Sequence, residues 1–207
     1  MIKEKKIVVF ASGSGTNFIN LNSNITNGKI ILLISNNPKC GAIKYAKKNN
    51  ICYKILNNFR FPDMNVLNQE YENILKELNP DLILLAGFMK KIPDNIINLF
   101  NNKIMNIHPS ILPKYGGKGY FGIKVHEAVI KSGDKKTGVT VHFINNEYDK
   151  GPIILQEFVN VKKTDNPESL AKRVLKKEYS IFLKAVDLFC KDKIVVKNNK
   201  VKINDEN

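Results

Sequence analysis

Asn106 and His108 stand two residues apart in Asn106-Ile107-His108-Pro109-Ser110, directly after the run Lys103-Ile104-Met105. That run reads as a short buried strand. Side chains two apart on a strand share a face, so the amide and the imidazole should project together. Proline disfavours helix at the residue before it, which keeps His108 extended as the strand ends. In a parallel sheet, ligand crevices open at the carboxyl ends of strands. An amide can hold a developing oxyanion and an imidazole can move a proton, a pairing suited to acyl transfer. The competing reading is an ordinary structural His and Asn at a strand end, so other segments must add weight.

Ala11-Ser12-Gly13-Ser14-Gly15-Thr16-Asn17 lies between a strand-like run and a helical one. Glycines let backbone approach a ligand, and free N–H groups at a helix start bind anions. Phe18 occupies the third glycine position of a dinucleotide fingerprint, and no Gly-Lys-Ser/Thr follows. One compact anion, a single phosphate, fits Gly13, Ser14, Gly15, Thr16 and Asn17 better than a nucleotide; the alternative is a plain Gly-rich turn. The polar loop Asn145 to Pro152 carries Asp149, read either as a turn residue or as a carboxylate beside His108. In the second case its charge should raise the histidine pKa and favour the imidazolium. Glu178 stands four residues from both Val174 and Phe182, so the three share a helix face. A carboxylate on an apolar stripe is costly unless paired; a ligand amine would satisfy it, and so would a neighbouring lysine. Met89, Lys90, Lys91 and Ile92 follow the apolar run Leu82 to Ala86, again at a strand end, where Met89 and Ile92 could line a pocket for a flat ring. The alternative there is a helix-entry loop carrying solvated lysines. His142, between Val141 and Phe143, reads as structural, and His126 stays open.

The elements that must position these groups alternate. Strands are expected at Lys6–Ala11, Lys29–Ile34, Ile51–Leu56 and Leu82–Ala86, and helices at Asn17–Asn24, Cys40–Lys48, across Leu67, Tyr71, Ile74, Leu75 and Leu78, and at Pro93–Phe100. Continuous apolar runs suit a parallel sheet buried on both faces. The pattern implies a doubly wound α/β sheet with right-handed crossovers. Beyond Ser110 it changes. A glycine-rich loop from Pro113 to Gly122 precedes a helix at Ile123–Lys131, strands at Gly138–Ile144 and Ile153–Val161, and the longest helix, Pro167–Phe189. Ile194–Val196 and Val201–Ile203 read as a terminal hairpin, and Asn204 to Asn207 as a frayed end.

A chain of 207 residues with 43% hydrophobic content suits one globular domain. No apolar run approaches a membrane span, and Met1 to Lys6 leads into a strand rather than a signal peptide; a cytoplasmic, non-membrane protein is the expectation. Cys40, Cys52 and Cys190 are widely spaced, with no Cys-x-x-Cys and only three histidines, which argues against disulfides and a protein-held metal. The net charge of +14 comes from 33 basic and 19 acidic residues dispersed along the chain. Dispersed charge reads as a solvated surface; the competing reading is a nucleic-acid module.

Together these residues resemble the phosphoribosylglycinamide formyltransferase family, folate-dependent enzymes of purine synthesis. Ser12 to Asn17, Leu85-Ala86-Gly87-Phe88-Met89, Asn106 to Lys114 and Asp149-Lys150-Gly151-Pro152-Ile153-Ile154-Leu155-Gln156 fall in the family's order and spacing, and the match runs from Ile7 to about Phe189. The resemblance implies a formyltransferase-like Rossmann variant: a doubly wound, mainly parallel sheet flanked by helices, with a long C-terminal helix. It implies one domain over residues 1–207, with a phosphate-binding half (1–100), a catalytic and folate-binding half (101–190) and a terminal appendage (191–207). The Gly13–Asn17 turn would hold the phosphate of glycinamide ribonucleotide, and Glu178 its amine. The donor, 10-formyltetrahydrofolate, would lie against Met89, Lys90, Lys91, Ile92, Asn106 and Asp149. Asn106, protonated His108 and Asp149 would be catalytic, without a metal. The implied partners are these two small molecules, with no nucleic acid, for a monomer or homodimer. Lys90 stands where the family commonly has arginine, losing a bidentate contact; Arg60 is the candidate for another family arginine; and the loop after Lys114 is longer than in many members. Methionyl-tRNA formyltransferases and formyl-folate hydrolases share the fold but normally carry a further domain, for which this chain has no room.

Overall fold

The computed structural model describes residues 4–204. The readings for Met1 to Lys3 and for Asp205 to Asn207 lie outside the described residues. By packing, the chain divides into two compact units, Met1–Met105 and Asn106–Asn207. The larger sheet has seven strands in the order β3-β2-β1-β4-β5-β6-β7 and is mainly parallel and flanked by helices.

In the first unit the chain runs β1 (Lys5–Phe10), α1 (Thr16–Asn24), β2 (Gly28–Ser35), α2 (Gly41–Lys48), β3 (Tyr53–Ile55), α3 (Met64–Leu78), β4 (Leu82–Leu85) and α4 (Asp94–Leu99), and then enters β5 (Ile104–His108). β1 pairs in parallel with β2 on one side and β4 on the other, and β2 with β3. Successive strands are thus laid first to one side of β1 and then to the other, which makes a switch point where β1 meets β4. Ile7 to Phe10 and Leu82 to Leu85 are all buried, as continuous apolar runs require. On α3, Leu67, Tyr71, Ile74 and Leu75 form the buried stripe that their spacing predicts. Asp63 caps that helix, accepting from Asn65 N at 2.7 Å.

The second unit continues with α5 (Ile123–Ser132), β6 (Lys136–Phe143), β7 (Ile153–Asn160), α6 (Pro167–Cys190), β8 (Ile194–Lys197) and β9 (Lys200–Ile203). β6 and β7 are antiparallel, and β8 and β9 form the expected hairpin as a separate two-stranded sheet. α6 is the expected long helix, opened by an Asn166–Ser169 capping box with Pro167 in its first turn. Asn204, expected to fray, donates its N–H to Lys193 O at 2.9 Å.

Candidate active site

Asn106 and His108 both lie on β5, and Asp149 follows β6, all in the second unit. The parity argument holds: Asn106 is half-buried, His108 is 4% exposed, and both meet Asp149. His108 Nδ1 lies 3.7 Å from Asp149 Oδ2, and Asn106 Nδ2 lies 3.5 Å from Asp149 Oδ1. Asp149 has φ 54°, a left-handed conformation that aspartate adopts more readily than most residues. Gly117 N–H anchors its Oδ2 at 2.8 Å.

A fourth side chain joins them. His142 Nε2 is 3.1 Å from Asn106 Nδ2 and 3.6 Å from Asp149 Oδ1. Its Nδ1 is 2.8 Å from Phe143 O, a carbonyl that can only accept, so Nδ1 carries the proton and Nε2 accepts from the amide. His142 is therefore structurally satisfied, as its strand position suggested, and also a member of the cluster, which the sequence did not show. The β6–β7 register shifts between Val141 and His142, and such irregularities re-aim side chains.

Electrostatics corrects one expectation. Asp149 does pull the His108 pKa upward, and so does the Tyr115 carbonyl, but burial outweighs both and holds it below its ordinary value. His108 thus rests neutral at neutral pH, not as the imidazolium expected from the sequence. For Asp149, burial pushes upward, yet His142, the charge of His108 and the Gly117 N–H together leave the carboxyl below its ordinary value. At rest the Asp149 carboxylate thus faces a neutral His108. Asn106 directs its N–H groups at His142 and Asp149; the 3.5 Å bond is the weaker and the easier to hand to a new oxyanion.

Glu178 is half-buried on α6, between the buried Val174 and Phe182. In the first unit, Gly13 to Asn17 connect β1 to α1. Gly15 has φ 80° at the helix N-cap, and a Cβ there would lie 2.7 Å from Ala42 Cα, so only glycine lets this turn sit against α2. Ser12 ties the turn to the end of β4: its Oγ accepts from Met89 N at 2.9 Å, and its N–H donates to Gly87 O at 3.1 Å. Met89 is half-exposed and Lys90 exposed, whereas Lys91 pairs with Asp94 at 2.8 Å and the Ile92 side chain is buried. A ligand at Ile92 would therefore meet its backbone rather than its side chain. Arg60 is exposed, in the turn that Asn57 closes. Among the described residues, no group of three or more His, Cys, Asp or Glu could hold a metal ion, and no helix is long and apolar enough to cross a membrane.

The formyl transferase family model matches residues 5–186. The chain is 40% identical over 197 residues to the chloroplastic phosphoribosylglycinamide formyltransferase of Arabidopsis thaliana, covering 93% of this chain and 68% of that protein. The Vigna unguiculata protein is likewise longer, the chain covering 64% of it. Identity to the phosphoribosylglycinamide formyltransferase of Haemophilus influenzae is 34%, covering 94% of this chain and 92% of that one. Among solved structures, glycinamide ribonucleotide transformylase 1 from Symbiobacterium toebii superposes with a TM-score of 0.89 at 30% identity, covering 98% of this chain and 95% of the other.

Proposed function

The chain belongs to the formyl transferase family, and from that premise we infer that it transfers a formyl group to the amino group of glycinamide ribonucleotide in purine biosynthesis. The observation that carries this reading is the convergence of Asp149 with Asn106 and His108, some forty residues earlier on β5, within one unit. The donor is 10-formyltetrahydrofolate, assigned to Met89, Lys90, Lys91, Ile92, Asn106 and Asp149. Gly13, Ser14, Gly15, Thr16 and Asn17 receive the substrate phosphate, and Glu178 its amine. The whole chain acts as a single formyltransferase domain on these two small molecules, as a monomer or homodimer in the cytoplasm.

The chemistry follows from the resting protonation states. The substrate amine attacks the formyl carbon, a C–N bond forms, and the carbonyl electron pair moves to oxygen. Asn106 turns an N–H from Asp149 to that oxygen. Neutral His108 takes the proton released from the attacking nitrogen, and Asp149 stabilises the imidazolium so formed. As the oxyanion collapses, the bond to the folate nitrogen breaks and the proton passes to that leaving nitrogen. A spectrophotometric assay with glycinamide ribonucleotide and a 10-formyl folate tests the reading. Turnover of His108→Ala and of Asp149→Asn should fall about 100- to 10,000-fold, the range for lost acid–base catalysis. Turnover near wild type in either would remove that residue from the reaction. The oxyanion is met by protein groups alone, so chelation should leave the rate unchanged; a loss restored by a divalent metal would overturn that part.

A further inference from the structure

Residues 115–117 hold both reacting partners from one side. The Tyr115 carbonyl lies 2.7 Å from His108 Nε2, and the Gly117 N–H lies 2.8 Å from Asp149 Oδ2. A carbonyl only accepts, so His108 carries a proton on Nε2. Tyr115 has φ 56°, which an aromatic side chain rarely adopts, so something must hold it there. Its phenol donates to Asp134 Oδ2 at 2.7 Å and lies 2.5 Å from Ser132 Oγ, at the end of α5. The preceding Lys114 grips both Asp134 oxygens, at 2.8 and 2.6 Å, and its carbonyl accepts from Ser110 Oγ at 2.6 Å. The loop is thus pinned on both sides of Tyr115. On its other side it packs closely, since a Cβ on Gly116 would come within 2.5 Å of Leu112 Cδ2 and 3.2 Å of Asp149 Cβ.

We propose that Asp134 and Tyr115 are positioning residues for the transfer: Asp134 holds the Tyr115 phenol so that the Tyr115 carbonyl keeps the His108 proton on Nε2, leaving Nδ1 as the nitrogen that takes up and returns the reaction's proton. This rests on the role given to His108 above. Nδ1 is the ring nitrogen facing Asp149 Oδ2 at 3.7 Å, so a proton arriving there meets the carboxylate at once. His142 acts on His108 electrostatically, and His108 on His126. His142 carries its own proton on Nδ1 toward Phe143 O, and burial keeps His126 neutral, so neither competes for this role. With the loop loosened, the ring can exchange tautomers, and half or more of the molecules would then present a protonated Nδ1 that cannot act as a base.

The test is nitrogen NMR on the full chain labelled with 15N-histidine, the His108 signals being assigned by their loss in His108→Gln, together with steady-state kinetics. The wild type should show neutral His108 protonated on Nε2. Tyr115→Phe and Asp134→Ala should lower kcat at least about two-fold, in proportion to the share of rings whose Nδ1 is already protonated and cannot act as a base, with KM for both substrates little changed and His108 in mixed tautomers. Asp134→Asn, which keeps an acceptor for the phenol, should restore most of the rate and the single tautomer. A wild-type His108 protonated on Nδ1 overturns the proposal, as does a change in tautomer without a change in kcat, the reverse, or no change in either. If Asp134→Ala fails to fold, Tyr115→Phe decides. If wild-type protein transfers no formyl group, the functional reading fails, while the NMR still decides the tautomer.

Discussion

In α5, His126 is 4% exposed and its Nδ1 has no hydrogen-bond partner among the described residues, so protonating it would strand a charge in the interior. Burial, with a further push from His108, lowers its pKa from 6.5 to about 4. A folded-state pKa below the unfolded one means that the unfolded chain binds the proton first. The contribution is therefore fully present above 6.5 and is lost as pH falls toward 4. Between pH 7 and pH 5 the loss from this group alone is about 2 kcal/mol. Urea denaturation of wild type and His126→Leu at both pH values should show the variant gaining on the wild type by that amount on acidification; parallel curves would mean that His126 titrates normally. Sequence could not single out this residue, because its role depends on what α5 packs against. Asn106 and His108 were legible for the opposite reason: a two-residue spacing before proline fixes a shared strand face whatever surrounds it. From the residues alone Asp149 was a turn residue of the right chemistry, and the family resemblance was needed to set it with the other two.

At the level of elements, the fully apolar runs and the long amphipathic pattern fixed β1, β4 and α6 almost to their ends, because burial on both faces or along one stripe leaves a periodicity that local sequence records. Where pairing rather than burial sets the limits, the reading drifted. β3 is only Tyr53–Ile55, shorter than expected, because its ladder to β2 runs only from Leu33–Tyr53 to Ser35–Ile55. β6 begins at Lys136 rather than Gly138, since Lys136 and Thr137 pair with Asn160 and Val159. The register shift that accompanies His142 is likewise a matter of pairing. It depends on a tight return: a Cβ on Gly151 would lie 1.9 Å from Phe143 O, so the chain must move if alanine stands there. Gly151→Ala should cost upward of about 2 kcal/mol, in the range for forced backbone rearrangement, read as a lowered urea midpoint. It should also lower turnover, because Phe143 O orients His142 and Asp149 lies two residues before the glycine. A variant with wild-type midpoint and rate would show that the return from β6 to β7 is more pliable than its packing implies.

Across the whole molecule, 33 basic residues face 19 acidic ones, so a charge of +14 remains however they pair. Pairs such as Lys76–Glu72, Lys91–Asp94 and Lys150–Glu147 are exposed on at least one side and span a single helical turn or loop. Exposed pairs of this kind contribute little to stability, so the excess acts chiefly as a field at a distance. Both proposed substrates are anions, one through a phosphate and the other through its folate carboxylates, and a basic surface raises the rate at which anions arrive. Such steering weakens as the screening length shrinks below about 10 Å near 0.1 M salt. It follows that kcat/KM for glycinamide ribonucleotide should fall several-fold between about 50 and about 300 mM sodium chloride. The saturated rate should hold, because the proposed catalytic cluster is largely shielded and its partners lie within 4 Å of one another. The competing reading of the same charge, a nucleic-acid module, makes a different forecast: oligonucleotide binding that falls steeply with salt and formyl transfer that is indifferent to it. Measuring both quantities over one salt series separates the two, and a flat kcat/KM would reduce the charge to a solvated surface with no part in catalysis.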